Sequence, residues 1–166
     1  SAIAGNDPDC NDNATGFAVV TAGGGTMPYR YNWNTTPAQS GIMAVKLKGG
    51  IVYTVTVTDG NGCTITDSVL LNNPTAVVVT TTASNTTCYN GNDGTVTINA
   101  TGGNGPYQYS LNNVYQQDSI LTGLIAGEYT AIAQDNNGCF GAQNFTVSEP
   151  AVIIVDAGPN VVSVRG

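Results

Sequence analysis

Apolar and polar side chains alternate along several short stretches of this chain. Residues 52–58 alternate valine or tyrosine with threonine from Tyr53 onward, as a strand buried on one face would. Residues 29–33 place three aromatic side chains at alternate positions, and residues 107–111 repeat this with Tyr, Tyr and Leu. Further strands are predicted at residues 17–22, 64–71, 76–82, 95–100, 140–147 and 151–155. Asn- and Gly-rich turns separate these stretches, so the pattern predicts an all-β fold.

The chain is one sequence unit written twice. A shift of 78 residues aligns Cys10, Gly16, Ala22, Gly24, Gly25, Pro28, Tyr29 and Tyr31 with Cys88, Gly94, Ala100, Gly102, Gly103, Pro106, Tyr107 and Tyr109. A shift of 76 aligns Tyr53, Thr54, Asp59, Asn61, Gly62, Cys63 and Pro74 with Tyr129, Thr130, Asp135, Asn137, Gly138, Cys139 and Pro150. We therefore predict repeat 1 over residues 1–75, repeat 2 over 76–152, and a tail, 153–166, as a candidate start of a further unit.

Each repeat has the size of an immunoglobulin-like β-sandwich, with roughly six or seven strands. The segments "LKGGIVY" and "LIAGEY" resemble the corner before the sixth strand, where such folds often carry a tyrosine that bonds back to the backbone, and Tyr53 and Tyr129 are the candidates for that role. The alternative is that both are ordinary core aromatics. The spacing of Tyr29, Tyr31 and Trp33 favours core positions over a sugar-stacking platform.

Charge and composition exclude several classes of function. Four Lys and Arg residues stand against eleven Asp and Glu, for a net charge of −7, so we expect no nucleic-acid partner and no attraction to anionic membranes. No apolar run is long enough to predict a transmembrane helix or membrane insertion. The chain has no His, which removes Ser-His-Asp and Cys-His catalysis, so we expect no enzyme. Abundant Thr and Val with four Cys favour an extracellular, oxidising location.

The motifs of repeat 2 read "CYNGNDGTVTINATGGNGPYQYSL", "LIAGEYTAIAQDNNGC" and "EP". Together they resemble the SprB-type repeat of Bacteroidota surface adhesins. Repeat 1 departs from the family pattern at Thr15 and Asn73, and repeat 2 at Leu111. The resemblance, over about residues 10 to 152, implies an Ig-like fold, export to the cell surface by the type IX secretion system, and service in adhesion, gliding motility or surface filaments.

The four cysteines form two pairs that are equivalent under the repeat, Cys10 with Cys63 and Cys88 with Cys139. A disulfide within each repeat is the simplest interpretation, and it would stabilise the fold by about 4 kcal/mol in the chain-entropy model. If seven strands form, however, the paired cysteines lie at opposite ends. Cross-links between repeats, such as Cys63–Cys88 or Cys10–Cys139, or links between chains, then become the alternative. The wide spacing argues against zinc.

Two other kinds of site have weaker sequence signals. Asp7, Asp9, Asp12 and Asp93 are calcium candidates, although turn formation explains these residues equally well, and we expect no other cofactor. Ser68 and Ser119 follow Asp and precede an apolar residue, the short acceptor pattern of O-glycosylation in exported Bacteroidota proteins. Five Asn-x-Thr sequons also occur, at Asn13, Asn34, Asn85, Asn99 and Asn144.

These observations predict a structural or adhesive module in an extended bacterial surface fibre. Its expected partners are neighbouring Ig-like repeats. Two alternatives stay open. The chain is a filament subunit that assembles end to end by strand donation from residues 152–155 or 161–164, or it is a module that binds surface polysaccharide.

Overall fold

The computed structural model describes residues 1–111 and 114–155, and these residues form strands and loops with no helix. Repeat 1 contains six strands, in two sheets of three. One sheet has the order β1-β2-β4 and the other β3-β5-β6, and all paired neighbours are antiparallel. The strands are β1 (Ala2–Asn6), β2 (Gly16–Thr21), β3 (Arg30–Trp33), β4 (Met43–Leu47), β5 (Ile51–Thr58) and β6 (Thr64–Leu71).

Repeat 2 has the same plan with one additional edge strand. Its sheets have the orders β11-β8-β7 and β10-β9-β12-β13, again antiparallel, and β10 extends the second sheet at the edge beside β9. The strands are β7 (Val78–Ser84), β8 (Gly94–Thr101), β9 (Gln108–Leu111), β10 (Val114–Gln116), β11 (Ile120–Leu124), β12 (Gly127–Gln134) and β13 (Phe140–Val147).

Each repeat has its own hydrophobic core, filled from both of its sheets. In repeat 1, Ala18 and Val20 of β2 meet Trp33, Val55 and Leu71 from the facing sheet. The core of repeat 2 consists of Val77, Val79, Val96, Ile98, Leu111, Ala131 and Ala133, with half-buried neighbours around it. Two antiparallel sheets that close over one core form a β-sandwich, so the chain is all-β, with two tandem Ig-like β-sandwich repeats, as predicted.

Most predicted strands are confirmed to within two residues at their ends, and residues 64–71 and 140–147 agree at both ends. Residues 151–155 are an exception. They were predicted as a strand, but they lie in an extended coil without a strand partner among the described residues. Tail residues 156–166, including the donor candidate 161–164, lie outside the described residues.

Tyr53 and Tyr129 both make the backbone bonds of a tyrosine corner. The Tyr53 hydroxyl accepts a hydrogen bond from Lys48 N at 3.0 Å and lies 3.2 Å from Lys48 O, to which it donates. The Tyr129 hydroxyl donates to Ile125 O at 2.9 Å. Each bond ties a strand to the loop that precedes it. The strand is β5 in repeat 1 and its counterpart β12 in repeat 2.

Candidate functional site at the repeat junction

The Asp-x-Asn-Gly-Cys turn is held by its own aspartate. Asp59 Oδ1 accepts hydrogen bonds from Asn61 N at 2.9 Å and Cys63 N at 2.8 Å, while Asp59 N donates to Cys63 O at 2.9 Å. Gly62 completes the turn with a φ of 88°. The backbone N–H of Thr26, followed by that of Cys63, holds the pKa of Asp59 below its usual value. The motif therefore fixes the position and direction of its cysteine.

The same aspartate also clamps the Gly-Gly loop. Asp59 Oδ2 accepts from Thr26 N at 3.0 Å, and in repeat 2 Asp135 Oδ2 accepts from Asn104 N at 2.8 Å. Gly103 adopts a φ of 60°, and a Cβ there would lie 2.5 Å from Asp135 Oδ2. The Gly-Gly and Asp motifs of the sequence are thus two halves of one clamp, at one end of each sandwich.

The other cysteine of each repeat sits in a tight turn after the first strand. Asn13 N donates to Cys10 O at 3.2 Å, and two residues after Cys10 the backbone of Asp12 has a φ of 57°. This turn rests on the segment that leaves the repeat, since Asn11 Nδ2 donates to Pro74 O at 2.8 Å and Asp12 N donates to Asn73 Oδ1 at 2.9 Å. Cys10 therefore lies at the exit end of repeat 1.

The two cysteines of one repeat occupy opposite ends of its sandwich. Cys63 belongs to the clamp with the Gly-Gly loop, whereas Cys10 lies beside Asn73 and Pro74. The prediction of one disulfide within each repeat, Cys10–Cys63 and Cys88–Cys139, is consequently wrong. The physical reason is the long connection 34–42, which returns the chain to the clamp end before β4 begins, as a further strand would. The two turns therefore lie at opposite ends although repeat 1 has only six strands.

The disulfide joins the repeats instead. Cys10 pairs with Cys139, with Cα atoms 5.5 Å apart and a sequence separation of 129. Asn137, in the same turn as Cys139, donates from Nδ2 to Asp9 O at 3.4 Å. The exit end of repeat 1 and the clamp end of repeat 2 therefore meet, and one covalent bond and one weak hydrogen bond supplement the linker at Pro74. Cys63 and Cys88 are exposed and free.

The calcium candidates are engaged in turns. Asp7 accepts from Asn72 N at 2.7 Å and from Asn72 Nδ2 at 3.0 Å, and Asp12 Oδ1 accepts from Asn73 Nδ2 at 2.8 Å. Asp93 accepts from the Thr87 hydroxyl at 2.5 Å, and this bond, with one from Thr87 N, lowers the pKa of Asp93. Asp9 takes part through its backbone N–H, which donates to the Thr15 hydroxyl at 3.0 Å. Over residues 1–111 and 114–155, no three His, Cys, Asp or Glu side chains gather as a metal site would require.

The aromatic side chains at residues 29, 31 and 33, in and just before β3, face the core, as predicted. Trp33 is 1% exposed, and its Nε1 donates to Gly41 O at 2.9 Å. Tyr29 and Tyr31 are half-buried and pack against the same core. The Tyr29 hydroxyl donates to Gly24 O, and that of Tyr107 donates to Gly102 O. Tyr29 and Tyr107 therefore fasten the Gly-Gly loops, and the three aromatics of repeat 1 take core positions.

The two glycosylation candidates differ in exposure. Ser68 is exposed on β6, while Ser119 is half-buried before β11 and its carbonyl accepts from Ile98 N at 2.8 Å. Both remain predictions.

Sequence reasoning did not find the Asp–Gly clamp. The signal was present: an Asp four residues before a Cys recurs with a Gly-Gly pair about 35 residues upstream in both repeats. Only the fold shows that these two motifs touch.

The chain is similar to one protein family and to several solved structures. The family model described as "SprB repeat" matches residues 4–37 and 80–115. No curated protein matches the chain. Among solved structures, an amphioxus IgVJ-C2 molecule aligns at 12% identity and a TM-score of 0.36, covering 84% of this chain and 99% of that one. The ectodomain of mouse nectin-like molecule 4 aligns at 11% identity and a TM-score of 0.33, covering 92% of this chain and 66% of that one.

No helix long and apolar enough to cross a membrane occurs in the described part of the chain. The two family matches fall at corresponding places in the two halves, each spanning the first-strand turn, the second strand and the Pro-Tyr strand. The SprB repeat model therefore matches one segment in each half of the chain.

Proposed function

We propose that this chain is a spacer segment of an extended bacterial surface fibre, in which Ig-like repeats stand in series and hold other parts of the fibre away from the cell. The observation that carries this proposal is the Cys10–Cys139 disulfide, which joins neighbouring repeats rather than closing one of them. A bond in that position resists bending and separation at the linker. It adds little to the interior of either sandwich, because each already has its own core.

The recurrent residues support a structural role. Gly-Gly, Pro-Tyr and Asp-x-Asn-Gly-Cys build the clamp, the loop fastening and the junction, and their polar atoms bond to backbone. The SprB repeat and the Ig-like fold are non-catalytic types of module. The net charge of −7 keeps neighbouring fibres apart through mutual repulsion.

The setting belongs to the same proposal. SprB repeats are modules of surface adhesins, and a disulfide suits an oxidising, extracellular location. The proposal includes three further properties. They are export by the type IX system, a part in adhesion or gliding, and O-glycosylation at Ser68 and Ser119. Exposed Ser68 is the more accessible acceptor, so we expect sugar there first.

The length of chains with increasing repeat number tests the spacer function. Chains with one, two and three copies of residues 1–150 in series would be measured by small-angle X-ray scattering. A spacer predicts that the maximum dimension grows in proportion to the copy number. A dimension that grows only as the cube root of the mass would mean that the repeats fold back on one another, and the proposal would fail.

Polysaccharide binding is the competing function. The same protein would be passed over columns of immobilised surface polysaccharide, with bovine serum albumin as a control of similar acidity. A spacer elutes in the void volume. Retention that free polysaccharide reverses would assign recognition to the repeats themselves.

A further inference from the structure

The two free cysteines lie at the two ends of the tandem pair that face away from the junction. Cys63 is at the clamp end of repeat 1 and Cys88 is at the exit end of repeat 2. Each has the same local geometry as one of the two paired cysteines. Cys63 is the repeat-1 counterpart of Cys139, and Cys88 is the repeat-2 counterpart of Cys10. Each exposed thiol can therefore be compared with a residue that already forms a disulfide in this molecule.

The Cys63 turn reproduces the Cys139 turn. Cys63 N lies 2.8 Å from Asp59 Oδ1, and Cys139 N lies 2.8 Å from Asp135 Oδ1. The reverse bonds, from the aspartate N to the cysteine O, measure 2.9 Å and 2.8 Å. The clamp end of repeat 1 thus holds Cys63 as the clamp end of repeat 2 holds Cys139.

The Cys88 turn likewise reproduces the Cys10 turn. Gly91 N donates to Cys88 O at 3.0 Å, and Asn90, the counterpart of Asp12, has a φ of 56° against 57° for Asp12. Asn90 N donates to Glu149 Oε2 at 2.7 Å, as Asp12 N donates to Asn73 Oδ1. Glu149 and Asn73 each precede the proline that ends a repeat.

The clamp end of repeat 1 also has an open recess. At the corresponding place in repeat 2, linker residues pack against the Gly-Gly loop. In repeat 2, a Cβ at Gly103 would lie 2.6 Å from Val77 Cγ2, and one at Gly102 would meet the Ala76 carbonyl. In repeat 1, a Cβ at Gly24 would meet nothing within 4 Å. Gly24, Gly25, Cys63, Thr64 and Ile65 line this recess.

The exit end of repeat 2 presents a segment that matches the recess. Residues 152–155 are the counterparts of residues 76–79. Val77 and Val79 are 8% and 5% exposed in the repeat-2 core, whereas their counterparts Ile153 and Val155 are 89% and 85% exposed. These apolar side chains have the spacing of the pair that enters the next sandwich at the existing junction.

We propose that Cys63 and Cys88 are the two halves of further junctions of the Cys10–Cys139 kind, each forming a disulfide with an adjoining SprB repeat. This rests on the proposed function, in which repeats stand in series. At each junction the exit segment, here residues 152–155, fills the recess at the clamp end of the next repeat. The first-strand cysteine then meets the cysteine of the next Asp-x-Asn-Gly-Cys turn.

The chemistry of the junction is a two-electron oxidation. Two thiols lose two protons and two electrons and form one S–S bond. A disulfide oxidant takes up these protons and electrons and is reduced to two thiols. The exposure of Cys63 and Cys88 gives such an oxidant access.

A three-repeat chain tests this inference. It consists of residues 1–150, a second copy of residues 75–150, and residues 151–166, so the added repeat follows Pro150 as repeat 2 follows Pro74. It contains six cysteines, four natural and two added. After oxidation by glutathione disulfide, free thiols are alkylated and counted by intact mass. Two disulfides and two free thiols are expected, whereas one disulfide and four free thiols would overturn the proposal.

Two variants of this longer chain identify the bond. Cys88→Ser in the middle repeat removes one half of the new junction and should leave three free thiols. Cys63→Ser should leave one, because Cys63 has no partner in this chain. Three free thiols in the Cys63→Ser variant would show that Cys63 had taken part in the second bond, and the assignment would be wrong.

Chains of residues 1–166 provide an independent measurement. The Cys63→Ser and Cys88→Ser variants are oxidised separately and as an equal mixture at high concentration. The proposal expects the mixed Cys88–Cys63 dimer to exceed same-variant dimers several-fold. Dimers in statistical proportion would overturn it. A failed thiol count leaves the length measurement intact, because repeats in series extend with or without this bond.

Discussion

Gly103 lies against the Asp135 carboxylate, so closely that a Cβ on Gly103 would stand 2.5 Å from Asp135 Oδ2. The same carboxylate accepts hydrogen bonds from Asn104, Asn137 and Cys139. One glycine without a side chain thus permits the clamp that orients the disulfide cysteine.

Replacing this glycine should therefore destabilise repeat 2. We expect Gly103→Ala to lower the free energy of unfolding by about 2 kcal/mol, from left-handed backbone strain and the displaced carboxylate. Urea unfolding followed by far-UV circular dichroism measures the change. Gly24→Ala, with a φ of 79° and open space around it, isolates the backbone strain. Equal losses in the two variants would show that the contact with Asp135 contributes nothing.

The tyrosine corners should differ in strength. Tyr53→Phe removes one acceptor and one donor for the Lys48 backbone, whereas Tyr129→Phe removes a single bond to Ile125. We expect a loss of about 1 to 2 kcal/mol for Tyr53→Phe and about 1 kcal/mol or less for Tyr129→Phe. Urea denaturation of the two variants compares them directly. The reverse order would mean that the Lys48 bonds are replaced by water without cost.

The inter-repeat disulfide should couple the unfolding of the two sandwiches. Trp33 is the single Trp and lies in the core of repeat 1, so its fluorescence reports repeat 1 while circular dichroism reports both. We expect coincident urea transitions by the two probes in the oxidised chain. In Cys10→Ser the transitions should separate, with a stability loss of about 5 kcal/mol in the chain-entropy model. Cys63→Ser, which removes only a free thiol, is the control and should behave as the natural chain does.

Acid should weaken the clamp of repeat 1. The pKa of Asp59 is lowered in the fold from 3.8, chiefly by the backbone N–H of Thr26. A carboxyl with a lowered folded pKa stabilises the protein above its unfolded pKa, and this contribution is lost as the pH falls through the folded value. The melting temperature should therefore drop below pH 3.8, and less steeply in Asp59→Asn.

Asp118→Asn is the matched control for this pH experiment, because the Asp118 carboxylate accepts no hydrogen bond from the described residues. Its melting temperature should follow the natural pH dependence. If the melting temperature of Asp59→Asn fell in acid as steeply as that of the natural sequence, the ionised Asp59 carboxylate would not stabilise the clamp.

Strand positions were readable from the sequence where alternation was strong. Residues 64–71 and 140–147 follow a turn with Asn-Gly and run to a proline, so both ends are marked. β1, β4, β10 and β11 were missed; "MAVKL" and "VYQ", for example, are short and carry no clear alternation. Residues 151–155 are strand-like in composition, but a strand needs a neighbour to pair its backbone, and none of the described residues provides one.

The cysteine pairing shows a different limit. The sequence repeat showed which cysteines are equivalent. Equivalent cysteines, however, can form a disulfide either within each repeat or between one repeat and the next. The choice depends on whether the two turns lie at one end of the sandwich or at opposite ends. That follows from the complete path of the chain, which includes the edge strand β10 of repeat 2 and the connection 34–42 at the same place in repeat 1, and the sequence marks both only weakly.

The Cys10–Cys139 bond also determines how the chain would carry tension. A pull on the two termini passes from residue 10 directly to residue 139 through the sulfur atoms, so residues 11–138 lie outside the force path. The 129-residue separation stores on the order of 400 Å of contour length that cannot be drawn out while the bond holds. Reduction of one bond would release that slack, so the local redox potential would decide whether the segment behaves as a short tether or a long one.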